Sequence, residues 1–153
     1  MRNRKYSSDT QHLLNHVYQG CQMGMCSVHQ MVEKSYATST QDMLLDLAHE
    51  HRRLMALAAE GLRPFRTAPR DINTYDRMRI AFLGKQLNPW HPEKRIGKGL
   101  VLGSRLALRS LMRYLRRYPL ASRPTKKLVG ELIELEKRTM REGLQLIKIA
   151  DAV

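Results

Sequence analysis

Apolar residues recur along the first part of the chain at the three- and four-residue spacing that aligns side chains on one face of an α-helix. One stripe consists of Leu14, Val17, Cys21, Gly24, Met25, Val28 and Val32, and the next of Leu44, Leu47, His51, Leu54, Met55, Ala58 and Leu62. Residues 36–40, which separate them, are rich in Ser and Thr. Because short connections join antiparallel neighbours, the pattern predicts a helical hairpin over about residues 8–62.

The same pattern returns about 84 residues later and predicts a second hairpin over about residues 97–150. Its stripes consist of Gly97, Leu100, Ser104, Ala107, Leu108, Leu111 and Leu115, and of Val129, Leu132, Glu136, Thr139, Met140, Gly143 and Ile147. Four apolar stripes require one shared core, and 153 residues suffice for a single domain. The prediction is an all-α four-helix bundle over residues 1–153, built from two repeated hairpins.

Residues 63–96 interrupt the repeat with four prolines and form a long connector between the hairpins. A weaker helical pattern over residues 71–87 predicts an extra short helix inside this connector. Trp90 is expected to anchor the connector against the core, although it could instead stack on a base or line a ligand pocket. Gly20 and Gly24 in the first helix, with Gly103 and Ala107 in the third, predict that these two helices cross closely.

The middle of each apolar stripe holds a polar or polarisable residue: Cys21, His51, Ser104 and Glu136. Burying such groups costs a few kcal/mol each unless they satisfy one another. The four side chains are therefore expected to meet in one central polar layer. In this layer His51 and Glu136 would share a buried hydrogen bond, and Cys21 and Ser104 would complete it as donors.

Two duplicated hairpins with inward polar residues at matching heights resemble the ferritin-like superfamily, in particular small bacterial members whose polar layer holds no metal. In that superfamily the helices supply carboxylates and two histidines that hold a di-iron centre. Here Cys21 and Ser104 stand at two of the carboxylate positions, and no Glu-x-x-His spacing leads to His51 or Glu136. The resemblance implies a ferritin-like four-helix bundle with a degenerate metal site and a non-catalytic role.

A mononuclear metal site is the sharper alternative for the central layer. Thiolate, imidazole and carboxylate are all zinc ligands, so Cys21, His51 and Glu136 could hold zinc or iron. Otherwise no cofactor is expected. His12 and His16 lie four residues apart and are expected to form a solvated surface pair rather than a second metal site.

The net charge of +13 suggests a polyanionic partner as another alternative. The basic positions concentrated on the third and fourth helices are Lys98, Arg105, Arg109, Arg113, Arg116, Lys137 and Arg141. No recognition helix, zinc finger or aromatic RNA motif accompanies them, so nucleic-acid binding would be sequence-independent and salt-sensitive. The simpler interpretation is a solvated face that keeps the protein soluble.

The first residues carry no apolar run, which predicts neither a signal peptide nor a membrane-spanning helix and hence a cytoplasmic protein. Cys21 and Cys26 are five residues apart and fall on different helix faces, so both are expected to be reduced. Self-association as a homodimer is expected because bundles commonly pair through an apolar helix face.

Overall fold

The structure is a computed structural model that describes residues 2–85 and 91–152. Within these ranges the chain forms five α-helices and no strand: α1 (Arg2–Lys34), α2 (Thr38–Leu62), α3 (Thr74–Lys85), α4 (Pro92–Arg117) and α5 (Arg123–Asp151). A 3-10 turn, Arg63–Phe65, follows α2 directly. The predicted all-α class is confirmed. The two hairpins are α1 with α2 and α4 with α5, and α3 lies in the connector.

The two C-terminal helices of the hairpins begin differently. Ser122 caps α5, because its side chain accepts a hydrogen bond from the backbone N–H of Thr125. α2 begins at Thr38 behind Ala37, which offers no side-chain cap. Trp90, predicted to anchor the connector, lies outside the described residues.

The core lies where the four apolar stripes meet. The largest fully buried side chains belong to Leu13, Val17, Leu44, Leu47, Leu54, Leu62, Ile96, Val129 and Leu132. All four residues at the stripe centres, Cys21, His51, Ser104 and Glu136, are buried as predicted. Helices pack most extensively within each hairpin, and α2 against α5 forms the main contact between hairpins. No helix in the described ranges combines the length and apolarity that a bilayer crossing requires.

Each hairpin turn is held by the first helix of the other hairpin. Asp9 in α1 accepts a hydrogen bond from the backbone N–H of Leu120 at 2.9 Å, in the turn between α4 and α5. Glu93 in α4 accepts one from the N–H of Tyr36 at 3.2 Å, and another from the Ser35 hydroxyl at 3.0 Å, in the turn between α1 and α2. The two carboxylates stand 84 residues apart, as do the two amides, so the contacts are repeat-equivalent.

The connector follows the outer face of α1 and is fixed by amide side chains of that helix. Asn15 accepts a hydrogen bond from the backbone N–H of Arg70, and Gln22 accepts one from the N–H of Ile72, both at 2.9 Å. Ile72 of the connector and Ile80 of α3 are both buried. These contacts place α3 beside α1, near the gap that separates α1 from α4.

The predicted close crossing of α1 and α4 is wrong. A Cβ atom at Gly103 would meet no heavy atom within 4 Å, and at Gly24 it would lie 2.5 Å from the His51 ring on α2. The tight crossing occurs instead inside the second hairpin, where a Cβ at Gly97 would lie 2.6 Å from the carbonyl oxygen of Gly143. Glycines of α1 therefore make room for a side chain, while α1 and α4 stand apart.

Candidate functional site

His51 and Glu136 form the centre of the polar layer. The His51 Nε2 atom lies 3.1 Å from Glu136 Oε1, and its Nδ1 atom lies 2.7 Å from the carbonyl oxygen of Leu47. Because a carbonyl only accepts, Nδ1 carries a proton, and a second proton lies between Nε2 and the carboxylate. The pair is net neutral whichever atom holds that proton. Exposures of 1% and 6% leave the two side chains almost dry, and the predicted buried hydrogen bond is confirmed.

Cys21 is buried in the same layer but does not complete it as predicted. Within the described part of the chain its thiol forms no hydrogen bond with His51 or Glu136. Burial, with a smaller contribution from the negative charge of Glu136, raises the pKa of Cys21 to about 12. The thiol is therefore protonated at neutral pH, whereas metal binding and nucleophilic attack both require the thiolate.

Ser104 departs further from the expectation that the layer satisfies itself. Its side-chain oxygen is buried and has no hydrogen-bond partner among the described residues. An unpaired buried hydroxyl costs roughly 1–3 kcal/mol, so such groups are rare unless they serve a ligand, an ion or a water molecule. The prediction that Ser104 donates within the layer is wrong, and the residue instead lines a cavity.

The donor set of the layer does not fit a di-iron centre, because it contributes one carboxylate and one imidazole where that centre needs several of each. In residues 2–85 and 91–152 no group of three or more His, Cys, Asp or Glu side chains is arranged to hold a metal ion. The residues predicted for a mononuclear site, Cys21, His51 and Glu136, share the layer but do not form such a group. That site stays a prediction.

A cleft of about 460 Å³ opens between α1 and α4, with α3 along one side. Its size is typical of small-molecule sites. His51, Ser104 and Glu136 form the floor of this α1–α4 cleft. Its walls are largely apolar and include Met23, Val28, Met31, Ile80, Leu100 and Leu106. The cleft therefore connects the polar layer to the surface through an apolar passage.

The rim of the cleft is predominantly basic. Arg79, Arg109 and Arg113 line it, against a single carboxylate from Asp76. His16 also lines it but adds no charge at neutral pH, because burial, with help from nearby positive groups, lowers the pKa of His16 to about 4. The rim thus favours anions.

His12 is exposed, as predicted, whereas His16 is half-buried and is not part of a solvated surface pair. The His16 ring stacks on Tyr114 with centroids 3.7 Å apart, and the His12 ring stacks on Tyr118 at 5.2 Å. Both tyrosines belong to α4 or its C-terminal cap. The two stacks join α1 to α4 beside the cleft.

All seven residues of the predicted basic face are exposed, namely Lys98, Arg105, Arg109, Arg113, Arg116, Lys137 and Arg141. Only Arg109 and Arg113 also line the cleft. The Lys137 Nζ atom lies 3.4 Å from Glu134 Oε1 on the same helix, so part of the lysine charge is locally compensated.

No protein-family model matches the chain, and no curated protein or solved structure matches it. The comparisons assign no family. What the protein does must therefore follow from the chemistry of the cleft.

Sequence reasoning identified the floor of the cleft but missed the cleft itself. Ser104 and its neighbours were placed inside the bundle by periodicity, whereas Gly103 and Ala107 were assigned to a helix crossing. Small residues on facing helices permit either close approach or open space, and the sequence does not distinguish them. Asp76 and Arg79 carried no signal, because their placement depends on how the connector packs.

Proposed function

We propose that this protein is a non-catalytic, ferritin-like four-helix bundle that binds a small organic molecule in the α1–α4 cleft. The observation that carries the proposal is the unpaired hydroxyl of Ser104, which is 2% exposed and lies on the floor of that cleft. An apolar passage that ends at an unsatisfied polar atom is what a specific small-molecule site requires. The repeated hairpins and their repeat-equivalent turn contacts support a ferritin-like bundle produced by duplication.

Two side chains of the polar layer that could act as nucleophiles, Cys21 and Ser104, are not activated, which favours a binding role. Cys21 is held as a protonated thiol. Ser104, within the described part of the molecule, has no hydrogen-bonded base that could remove its proton. The imidazole of His51 is already engaged on both ring nitrogens.

Filling the cleft provides a direct test. Gly103→Leu places a side chain at a cleft-lining position with free space, and exchanging glycine for leucine in a helix stabilises it by about 0.5–1 kcal/mol. Gly130→Leu on α5 is the matched control, because its Cβ also meets no atom within 4 Å and it does not line the cleft. Both variants should fold, and only Gly103→Leu should lose binding.

Binding is followed by the methyl resonances of methionine in protein labelled with carbon-13 at that group. The neutral probe decanol, the anion decanoate and the cation decylammonium are titrated in turn. We expect at least one probe to shift the methyl resonances of Met23 and Met31, which line the cleft. The resonances of Met43 and Met55, both on α2 and outside the cleft lining, should stay unchanged. If none of the three shifts Met23 or Met31, or if Gly103→Leu binds as well as Gly130→Leu, the proposed function is wrong.

Polyanion binding is the second candidate. The observation that favours it is that Arg105, Arg109, Arg113 and Arg116 are exposed on one helix and pair with no described carboxylate. Fluorescence anisotropy with duplex DNA, single-stranded DNA and RNA over a salt series tests it. A log–log slope near −0.9 per neutralised phosphate is expected for duplex DNA. Lack of binding at low salt would assign the basic face to solubility.

A homodimer and a metal-bound form are proposed alongside these roles. Exposed apolar side chains on α4 and α5 offer a surface for pairing: Leu102, Leu106, Met112, Leu144 and Ile149. Analytical ultracentrifugation measures the pairing, and a monomer at all concentrations contradicts it.

Elemental analysis of purified protein, with melting temperatures measured before and after adding zinc, decides whether Cys21, His51 and Glu136 hold a metal. A cytoplasmic location agrees with two free cysteines.

A further inference from the structure

We infer that the ligand of the α1–α4 cleft is a linear amphipathic organic anion. Its acidic group contacts Arg109 and Arg113 at the rim, its apolar chain fills the passage, and a hydroxyl or carbonyl group at the inner end pairs with Ser104. This inference rests on the proposed small-molecule function and specifies the chemistry of the bound molecule. It follows from three separate parts of the cleft.

The basic rim of the cleft favours a ligand with a negatively charged group at its outer end. Arg109 and Arg113 are four residues apart on α4, so their side chains are neighbours on one helix face. Neither pairs with a carboxylate in the part of the chain that the structure describes. A guanidinium group binds a carboxylate or phosphate through two parallel hydrogen bonds, which makes this pair suited to an acidic head group. Asp76 at the same rim opposes anions, but it is outnumbered by arginine.

The floor excludes the acidic group and selects a neutral one. His51 and Glu136 already share their proton, so they offer no net positive charge to a second carboxylate. A carboxylate placed here would lie beside Glu136 in a nearly dry environment, which is unfavourable for both charges. Ser104 Oγ, by contrast, can donate one hydrogen bond and accept two, and among the described residues it does neither. A neutral hydroxyl or carbonyl group satisfies it.

The distance between floor and rim sets the length of the molecule. Ser104 precedes Arg109 by five residues and Arg113 by nine on the same helix. At the rise of an α-helix these separations are about 7.5 and 13.5 Å along the axis, and the turn of about 100° per residue places both arginines on the far side of α4 from Ser104, so the path from floor to rim is longer than these values. On α4 itself, Leu106, Ala107 and Leu111 line the cleft between these positions. A medium-length, unbranched carbon chain matches both the length and the lining.

Isothermal titration calorimetry on the full chain tests the acidic end. Decanoate, decanol and decylammonium share one chain and differ in the charge of the head group. We expect decanoate to bind about tenfold more tightly than decanol, and decylammonium to bind most weakly. The double variant Arg109→Gln and Arg113→Gln should remove this preference and leave decanol unchanged. The matched control is Arg105→Gln with Arg116→Gln, two exposed residues of α4 outside the cleft, which should keep it.

The inner end is tested with ω-hydroxydecanoate, which adds a hydroxyl group to decanoate at the opposite end of the chain. It should bind the native protein several-fold more tightly than decanoate. Ser104→Ala, which removes only the unpaired hydroxyl, should abolish that advantage without weakening decanoate. Methionine methyl resonances of Met23 and Met31 report whether each ligand occupies the cleft.

The outcomes separate this inference from the proposed function. If decanol shifts Met23 and Met31 and binds as tightly as decanoate, the cleft is a binding site and the inference about charge is overturned. If ω-hydroxydecanoate gains nothing over decanoate, a water molecule satisfies Ser104 and the inner polar group is overturned. If no probe reaches Met23 or Met31, both the inference and the proposed function are wrong.

Discussion

The four polar residues in the interior of this bundle are accommodated in different ways. His51 donates to the Leu47 carbonyl and shares a proton with Glu136, so all of its hydrogen-bonding capacity is used inside the core. Cys21 beside them is buried as an uncharged thiol, and Ser104 is left unpaired. Among the described residues, Ser104 carries the one buried oxygen or nitrogen atom of the layer that has no hydrogen-bond partner, and Ser104 lines the cleft together with His51 and Glu136.

Removing one member of the His51–Glu136 pair should destabilise the protein strongly, whereas replacing both with apolar residues should destabilise it little. Glu136→Met leaves the imidazole without its partner, and we expect the free energy of unfolding to fall by about 3–5 kcal/mol. The double variant His51→Leu with Glu136→Met removes both polar groups and should recover most of that loss. Urea unfolding measures both. A double variant no more stable than Glu136→Met would contradict the interpretation that the loss comes from an unpaired polar group.

His16 should make the protein less stable in mild acid. Its pKa is lowered from 6.5 to about 4 in the folded state, so between these values the unfolded chain binds more protons than the native one. The free energy of unfolding contributed by this group is therefore fully present above pH 6.5 and is lost as the pH falls toward 4. The variant His16→Phe keeps a ring stacked on Tyr114. Between pH 7 and pH 4.5 its urea midpoint should fall less than that of the native protein.

The same substitution at the exposed His29 serves as the control for this experiment. Its pH profile should run parallel to that of the native protein. Parallel profiles for His16→Phe and the native protein would show that His16 titrates alike in the folded and unfolded states.

At the scale of elements, the helices differ in how closely they approach. α4 and α5 meet where Gly97 faces Gly143, with no space for a Cβ atom on either. α1 and α4 are held apart, and the rings of His16 and Tyr114 fill the space between them at one place. The gap left beside this stack is the cleft.

Alanine substitutions at two glycines of the α1–α4 face should have opposite effects. Gly24→Ala would place a methyl group against the His51 ring, so we expect a loss of about 1–3 kcal/mol from overpacking. Gly103→Ala meets open space and should gain about 0.5–1 kcal/mol from helix propensity. Thermal or urea unfolding of both, with Gly130→Ala as a second open position, measures the difference. A destabilising Gly103→Ala would mean that α1 and α4 approach closely after all.

At the scale of the whole molecule, the two hairpins are tied together by reciprocal contacts at their turns. Asp9 reaches the turn between α4 and α5, and Glu93 reaches the turn between α1 and α2. Each hairpin therefore has its turn fixed only when the other is folded. This arrangement favours cooperative folding of both halves as one unit.

Removing either contact should destabilise the whole protein to a similar degree. We expect Asp9→Ala and Glu93→Ala each to lower the free energy of unfolding by about 1–3 kcal/mol, because each removes the charged acceptor of backbone hydrogen bonds in a turn. Asp9 and Ser35, which mark the two sites on α1, are separated by about 39 Å of helix, so the effects should add in the double variant.

An exposed carboxylate on α5 provides the control for this pair: Glu131→Ala should change stability by less than about 0.5 kcal/mol. Two-state unfolding monitored by both circular dichroism and fluorescence checks that each variant still unfolds as one unit. Separate transitions for the two hairpins in the native protein would contradict the coupling.

Much of the fold follows from local pattern, and the site follows from it only in part. Periodicity alone placed Cys21, His51, Ser104 and Glu136 inside the bundle, and proline spacing located the connector helix. The same pattern could not show that Asp9 and Glu93 bind turns 111 and 57 residues away, since each is an ordinary acidic residue in the first part of a helix. Nor could it show that His12 and His16 stack on tyrosines of α4, because ring contacts depend on the separation of two helices.

The sequence by itself determined the number and faces of the helices and the burial of the four polar residues, because a helical repeat is a local property of the chain. Only the tertiary structure decided which of those polar residues found partners and whether α1 and α4 met or stood apart. Distances between helices are set by every side chain packed between them, and the cleft above Ser104 exists because the packing elsewhere in the bundle holds it open.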